Sequence, residues 1–135
     1  MADFITRLRA VTVSGLFLTV LASPVMADKA EGLWLTGPDK KGQVGHVKLA
    51  PCGASLCGTV IKAFDKSGKD VITQNVGKRV IWDVKPTGGG DYSGRMLVSQ
   101  LKATVDGVFH VAGNKMTVKG CVKKLCQSQV WTRLK

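Results

Sequence analysis

Val108-Phe109-His110-Val111-Ala112-Gly113-Asn114-Lys115-Met116-Thr117-Val118-Lys119-Gly120-Cys121-Val122 is the stretch whose reading decides the fold. Gly113-Asn114 is a two-residue hairpin signal. After it, Met116 and Val118 fall on one side and Lys115, Thr117 and Lys119 on the other, the period of two that a half-buried strand requires. Working outward, the same pattern predicts strands over residues 32–36, 44–50, 57–64, 79–85, 92 to about 104, 108–112, 115–122 and 128–134. In the second, Val47 and Leu49 oppose His46 and Lys48; in the fourth, Val80, Trp82 and Val84 alternate with Arg79, Asp83 and Lys85. Turn chemistry separates them: Asp39-Lys40-Lys41-Gly42, a Cys-bounded hairpin, the polar loop 65–77, Pro86-Thr87-Gly88-Gly89-Gly90, and Asp106-Gly107, where a long strand, bulged or split, is expected to end. About eight strands in series with no helical period between them predict an antiparallel, up-and-down meander. Closing it into a barrel removes both sheet edges and leaves an interior for side chains or one small ligand. A Greek-key sandwich would need longer crossovers than these turns supply.

Composition agrees with a single all-β domain. The chain has 135 residues, 44% hydrophobic and 21% charged, with sixteen Gly against one Glu. That is too apolar for a disordered chain, and it lacks the long uncharged runs of a membrane bundle. Residues 1–27 read as a signal peptide: Arg7 and Arg9, an apolar run over residues 11–22, then Ser23-Pro24-Val25-Met26-Ala27. The run is short for a bilayer and Pro24 breaks it, so cleavage after Ala27 is expected over retention as an anchor helix. The domain is then 28–135. Two Arg and one Asp leave with the leader, so the net charge falls from +11 to +10. Such a charge favours anionic envelope surfaces through salt-sensitive encounter. The Lys residues are spread along the chain without interleaved aromatics, which reads as a solvated basic surface and not a specific nucleic-acid site.

All four cysteines lie in the exported part, as Cys52-Gly53-Ala54-Ser55-Leu56-Cys57 and Cys121-Val122-Lys123-Lys124-Leu125-Cys126. Export makes disulfides the default and a zinc site the weaker alternative, since zinc knuckles space their Cys more closely. Of the three pairings, crossed bridges would close longer loops, whereas hairpin geometry favours Cys52 with Cys57 and Cys121 with Cys126.

Three segments together carry a resemblance: Glu31-Gly32-Leu33-Trp34-Leu35-Thr36, the stretch 50–58 from Ala50-Pro51-Cys52 to Cys57-Gly58, and the stretch 119–133 from Lys119-Gly120-Cys121 to Trp131-Thr132-Arg133. The chain resembles domain of unknown function 2147, a family of small exported bacterial proteins, over essentially the whole of its exported part. The resemblance implies a lipocalin-like, calycin-type β-barrel. The Asn-Pro-Asp and Asp-Pro-rich segments of that family are missing, and Thr73-Gln74-Asn75-Val76 and Asp106-Gly107 stand roughly in their places. In a closed barrel the first and last strands pair. Trp131 and Arg133 then share a face, and Arg133 can stack on Trp34, two residues after Gly32, and bond to carbonyls at the barrel floor, as similar residues do in calycins. The trio reads as structural, with a cation–π ligand clamp as the alternative.

No Ser-His-Asp order surrounds a Gly-x-Ser-x-Gly elbow, there is no phosphate loop, and no carboxylate pair lies within an apolar run. His46 and His110 are isolated and read as ordinary strand residues. A non-catalytic binding module without cofactor or metal is therefore expected, its cavity lined by Val60, Trp82, Met96, Val118 and Trp131 and its ligand small, apolar or amphipathic, and anionic. The alternative is a protein-interaction module of the envelope, such as an inhibitor of an exported hydrolase.

Overall fold

The computed structural model describes residues 12–19 and 28–135. Residues 12–19 have no regular secondary structure; the rest of the expected leader, 1–11 and 20–27, lies outside the described residues. The described chain forms β1 (Gly32–Leu35), β2 (Val44–Cys52), β3 (Ser55–Phe64), β4 (Asp70–Val71), β5 (Arg79–Gly88), β6 (Asp91–Val98), β7 (Ala103–Ala112), β8 (Lys115–Val122) and β9 (Leu125–Arg133). Every pairing is antiparallel, and each long strand pairs with the next. β9 returns to β1 through Trp34↔Arg133 and Leu35↔Thr132, which closes an eight-stranded up-and-down barrel. The two-residue β4, within the expected loop 65–77, pairs with Ala63 and Phe64 where β5 no longer follows β3.

The turn expected at Asp106-Gly107 is not there: both residues lie inside β7. The chain reverses instead at a 3₁₀ turn, Ser99–Leu101, where Lys102 adopts φ 48° and donates its N–H to Ser99 O. The dipeptide answers to packing. Asp106 points outward and pairs with Arg95 at 2.7 Å. Gly107 points inward, where a Cβ would come within 3.2 Å of Met96 Sδ and the Phe109 ring. Strand β5 also departs from simple alternation. Gly58↔Ile81 and Thr59↔Arg79 leave Val80 as an extra residue, and Trp82↔Arg95 with Lys85↔Ser93 leave Asp83, at φ 54°, as another. Two bulges in one strand bury Val80, Ile81 and Val84 and turn Trp82 to the outside.

The barrel interior is unequal along its axis. At one end, here the floor, lie the turns at residues 53–54, 89–90 and 113–114 together with residues 28–31 and 134–135. That half is filled: Trp34, Phe109 and Met116 are fully buried, and Leu49, Ile81 and Val84 are 1% exposed. Burying each of the larger side chains stabilises the fold by about 1.5–3 kcal/mol. At the other end, the mouth, lie segments 36–43, 65–78, 99–102 and 123–124.

Candidate functional site

The floor is closed by a strap, residues 28–31, held from three sides. The Trp34 indole N–H donates to Ala30 O at 2.9 Å, inside the barrel. Arg133 lies over the Trp34 ring, 4.3 Å from its centroid, and donates to Glu31 O at 2.8 Å and to Lys29 O. Gly32, at φ 141°, makes room for this: a Cβ there would stand 2.8 Å from Arg133 Nη1 and 2.5 Å from Lys135 O. On the third side the Tyr92 hydroxyl donates to Asp28 Oδ1 at 2.5 Å, and Asp28 also accepts the Ala30 N–H. Burial, then the bond to the Asp28 carboxylate and its charge, push Tyr92 up to about 12. Trp34, Arg133 and Tyr92 thus tie the strap to the barrel wall, whereas Trp131, expected beside them, bonds elsewhere and lines the cavity.

The two cysteine pairs are bridged within their own hairpins, Cys52 to Cys57 and Cys121 to Cys126. They sit at opposite ends of the barrel and differ in register. Cys121 and Cys126 face each other directly, whereas Cys52 faces Ser55 and reaches diagonally to Cys57, which faces Ala50. Both bridges are on the outer wall, because the alternate residues Leu49, Gly58 and Gly120 turn inward. Disulfides are the covalent chemistry of an extracytoplasmic, oxidising compartment.

Above the filled floor the barrel opens into a cavity of about 940 Å³ that reaches solvent through the mouth. Its walls include Val47, Val60, Val80, Ile81, Met96, Leu97 and Val118, and Trp131 is part of its lining. Four of the five residues expected to line a cavity are therefore brought together. Trp82 is not among them: the Asp83 bulge leaves it on the outer wall, beside Asp83, Arg95 and Thr104. Polar groups that sequence reasoning passed over enter from β9, whose inward residues are Gln127, Gln129 and Trp131. The Trp131 indole N–H donates to Gln129 Oε1 at 2.9 Å. An indole can only donate, so the Gln129 oxygen is committed to it and the amide nitrogen, with two donors, remains for the cavity. Lys40 and Lys41 stand at the rim. The acid beside them, Asp39, is occupied by the backbone N–H groups of Lys41 and Gln43 at 2.8 and 2.9 Å.

The β9 edge is open toward the mouth. Arg133 N–H bonds to Asn114 O and Leu134 N–H to Leu33 O, so even-numbered residues of β9 turn their backbone groups toward β1. β1 reaches only Thr132, which leaves Ser128 and Val130 without a strand partner on that side.

The histidines lie away from the cavity. His46 packs beside Phe64, ring centroids 4.8 Å apart, and His110 Nδ1 is 2.6 Å from Asp91 Oδ1 on the outer wall. Among the described residues no group of three or more His, Cys, Asp or Glu is placed to hold a metal ion.

The model of a family described as "Uncharacterized protein conserved in bacteria (DUF2147)" matches residues 32–133, and the chain belongs to that family. The match begins at the glycine that admits Arg133 and ends at Arg133 itself. No curated protein and no solved structure matches the chain.

Proposed function

We propose that this member of DUF2147 is an exported, periplasmic, non-catalytic binding module of lipocalin-like form, which takes one small amphipathic anion with its apolar part in the barrel and its charged end at the mouth. The observation that carries the reading is the half-filled interior. A barrel needing only a core would continue its packed layers to the mouth, whereas here a cavity of about 940 Å³ begins at Trp131. That volume lies within the range of roughly 300–1,000 Å³ common for small-molecule sites. The walls are mostly aliphatic, with few polar groups to orient a ligand. The Gln129 amide and the rim Lys40 and Lys41 are donors, and donors with positive charge select an acceptor with negative charge.

Native mass spectrometry of the protein recovered from the periplasm, with its intact mass fixing the N-terminus at Asp28, should show a co-purified small molecule. Titration with apolar anions should saturate and perturb the tryptophan fluorescence of a Trp82→Phe protein, in which Trp131 lines the cavity and Trp34 lies buried in the floor half. Absence of any adduct together with a flat titration contradicts the reading.

The unpaired backbone of Ser128 and Val130 supports a second reading, in which an extended segment of another envelope protein adds to β9. Val130→Pro would remove a donor from that edge and abolish such binding, while leaving an apolar ligand in place.

A further inference from the structure

The rim of the mouth combines exposed aliphatic side chains with lysines. Three apolar side chains stand out around the opening, two from loops and one from the first residue of β9: Ile72 is 96% exposed, Leu101 53% and Leu125 81%. Nothing in the barrel explains them. They do not pack on the core, and burying any one of them inward would have been favourable. The mouth segments 36–43, 65–78, 99–102 and 123–124 carry eight lysines against three aspartates. The floor segments 28–31, 53–54, 89–90, 113–114 and 134–135 carry two lysines against two acids. Two of the three mouth aspartates are turned to their own turns: Asp39 caps Lys41 and Gln43, and Asp65 accepts Ser67 and Lys69. The side-chain bond from Ser67 and then the backbone bond from Lys69 hold the Asp65 carboxyl below its ordinary range, so its charge stays with its own loop.

The residue types distinguish between partners. Protein interfaces are enriched in Tyr, Trp and Arg and depleted in Lys, and single-stranded nucleic acid is held on aromatic platforms. The four mouth segments contain no Arg and no aromatic residue. Aliphatic tips beside lysines, whose long stems can lie along apolar surface while the ammonium stays in water, instead fit the boundary of a lipid bilayer. Each lysine gains further from an anionic leaflet.

We propose that the mouth docks on an anionic phospholipid surface, with Ile72, Leu101 and Leu125 entering the headgroup boundary and Lys40, Lys41, Lys102, Lys123 and Lys124 on the phosphates. The cavity then opens directly onto the membrane. Lys102, Lys123 and Lys124 are not part of the cavity lining, so a charge variant confined to them separates failure of docking from failure of the ligand titration.

Sedimentation with extruded vesicles tests it, using the protein as the cell processes it. Wild type should bind vesicles of phosphatidylethanolamine with phosphatidylglycerol, bind phosphatidylcholine weakly, and come off as salt is raised. Ile72→Ser with Leu125→Ser should weaken binding about tenfold or more. Lys102→Gln with Lys123→Gln and Lys124→Gln should weaken it about a hundredfold or more at low salt. Val108→Ser, which removes an exposed apolar residue from the outer wall, should bind as wild type does. All three positions of the charge variant and both of the apolar variant are on the surface, so melting curves should match wild type. Wild-type failure to bind the anionic vesicles, or binding indifferent to both mouth variants, overturns the proposal. So does a dimer in sedimentation velocity that the Ile72/Leu125 variant dissolves without change in vesicle binding, because the ring would then be a self-association face.

Discussion

The floor and the mouth are built from the same eight strands yet answer opposite demands. At the floor, the groups around the strap are spent on the chain itself: Arg133 on the strap carbonyls and the Trp34 ring, Tyr92 on Asp28, and the Trp34 N–H on Ala30. At the mouth, groups with the same potential are left unspent: the Gln129 amide nitrogen, the rim lysines, the exposed aliphatic tips and the backbone of Ser128 and Val130. A closed barrel has enough stability from one packed half to leave the other half open. Stability is therefore expected to reside at one end and recognition at the other.

The sharpest way to break that comparison is to truncate matched residues at the two ends. Phe109→Ala, in the filled half, should cost about 3–5 kcal/mol in urea unfolding, whereas Leu125→Ala at the mouth should stay within about 0.5 kcal/mol of wild type. Similar losses at both ends would mean that the mouth is packed in solution. Removing the lock comes next. Arg133→Ala should lower stability by about 1–3 kcal/mol, from two charge-assisted hydrogen bonds and the stacking on Trp34, and leave the affinity for a cavity ligand unchanged. Arg133→Lys should recover only part of it, because an ammonium cannot reach two carbonyls and cover the ring at once.

The two disulfides sharpen the contrast because they clip loops of equal length at opposite ends. The chain-entropy model assigns each about 2 kcal/mol, so Ser replacements of Cys52 and Cys57 or of Cys121 and Cys126 should cost similar amounts. Only the second pair, beside Leu125, should change vesicle binding. The smallest effect is on the pH axis. Tyr92 is the one tyrosine of the chain, so its ionisation can be followed directly by ultraviolet absorbance. Its value is raised from the ordinary 10.0 to about 12 in the folded protein. The folded state thus holds the proton that the unfolded chain releases. Its contribution is complete below pH 10 and is lost as pH rises through 12. A titration midpoint near 10 would mean that the strap is not seated, and Tyr92→Phe should cost about 1 kcal/mol below pH 10 and less above it.

Much of the fold was legible because hairpin turns and period-two alternation are local signals. Val108 to Val122 gave two strands and their turn, and Val47 and Leu49 were placed inward on pattern alone. The errors came where packing outranked the local signal. Asp106-Gly107 has turn chemistry, but Gly107 is required small by Met96 and Phe109 and Asp106 is drawn by Arg95. Strict alternation places Trp82 inward, and the bulge at Asp83 breaks that alternation; nothing in Trp82-Asp83-Val84 announces a positive φ. Within the site, aliphatic liners such as Val60 and Val118 were readable from alternation. Gln127 and Gln129 were not, because a strand pattern that reads polar is taken as solvent-facing, and an inward polar residue is signalled only by its phase with Trp131.

The central claim, an empty mouth half above a filled floor half, is tested most directly by calorimetric titration of a long-chain carboxylate into wild type and into Val60→Trp. The account predicts one site per chain with a negative heat-capacity change in wild type, as apolar surface is buried. It predicts loss of that binding in Val60→Trp, with the unfolding midpoint retained, because the indole occupies the cavity. Heat that never saturates in wild type, or undiminished binding by a folded Val60→Trp protein, would contradict it.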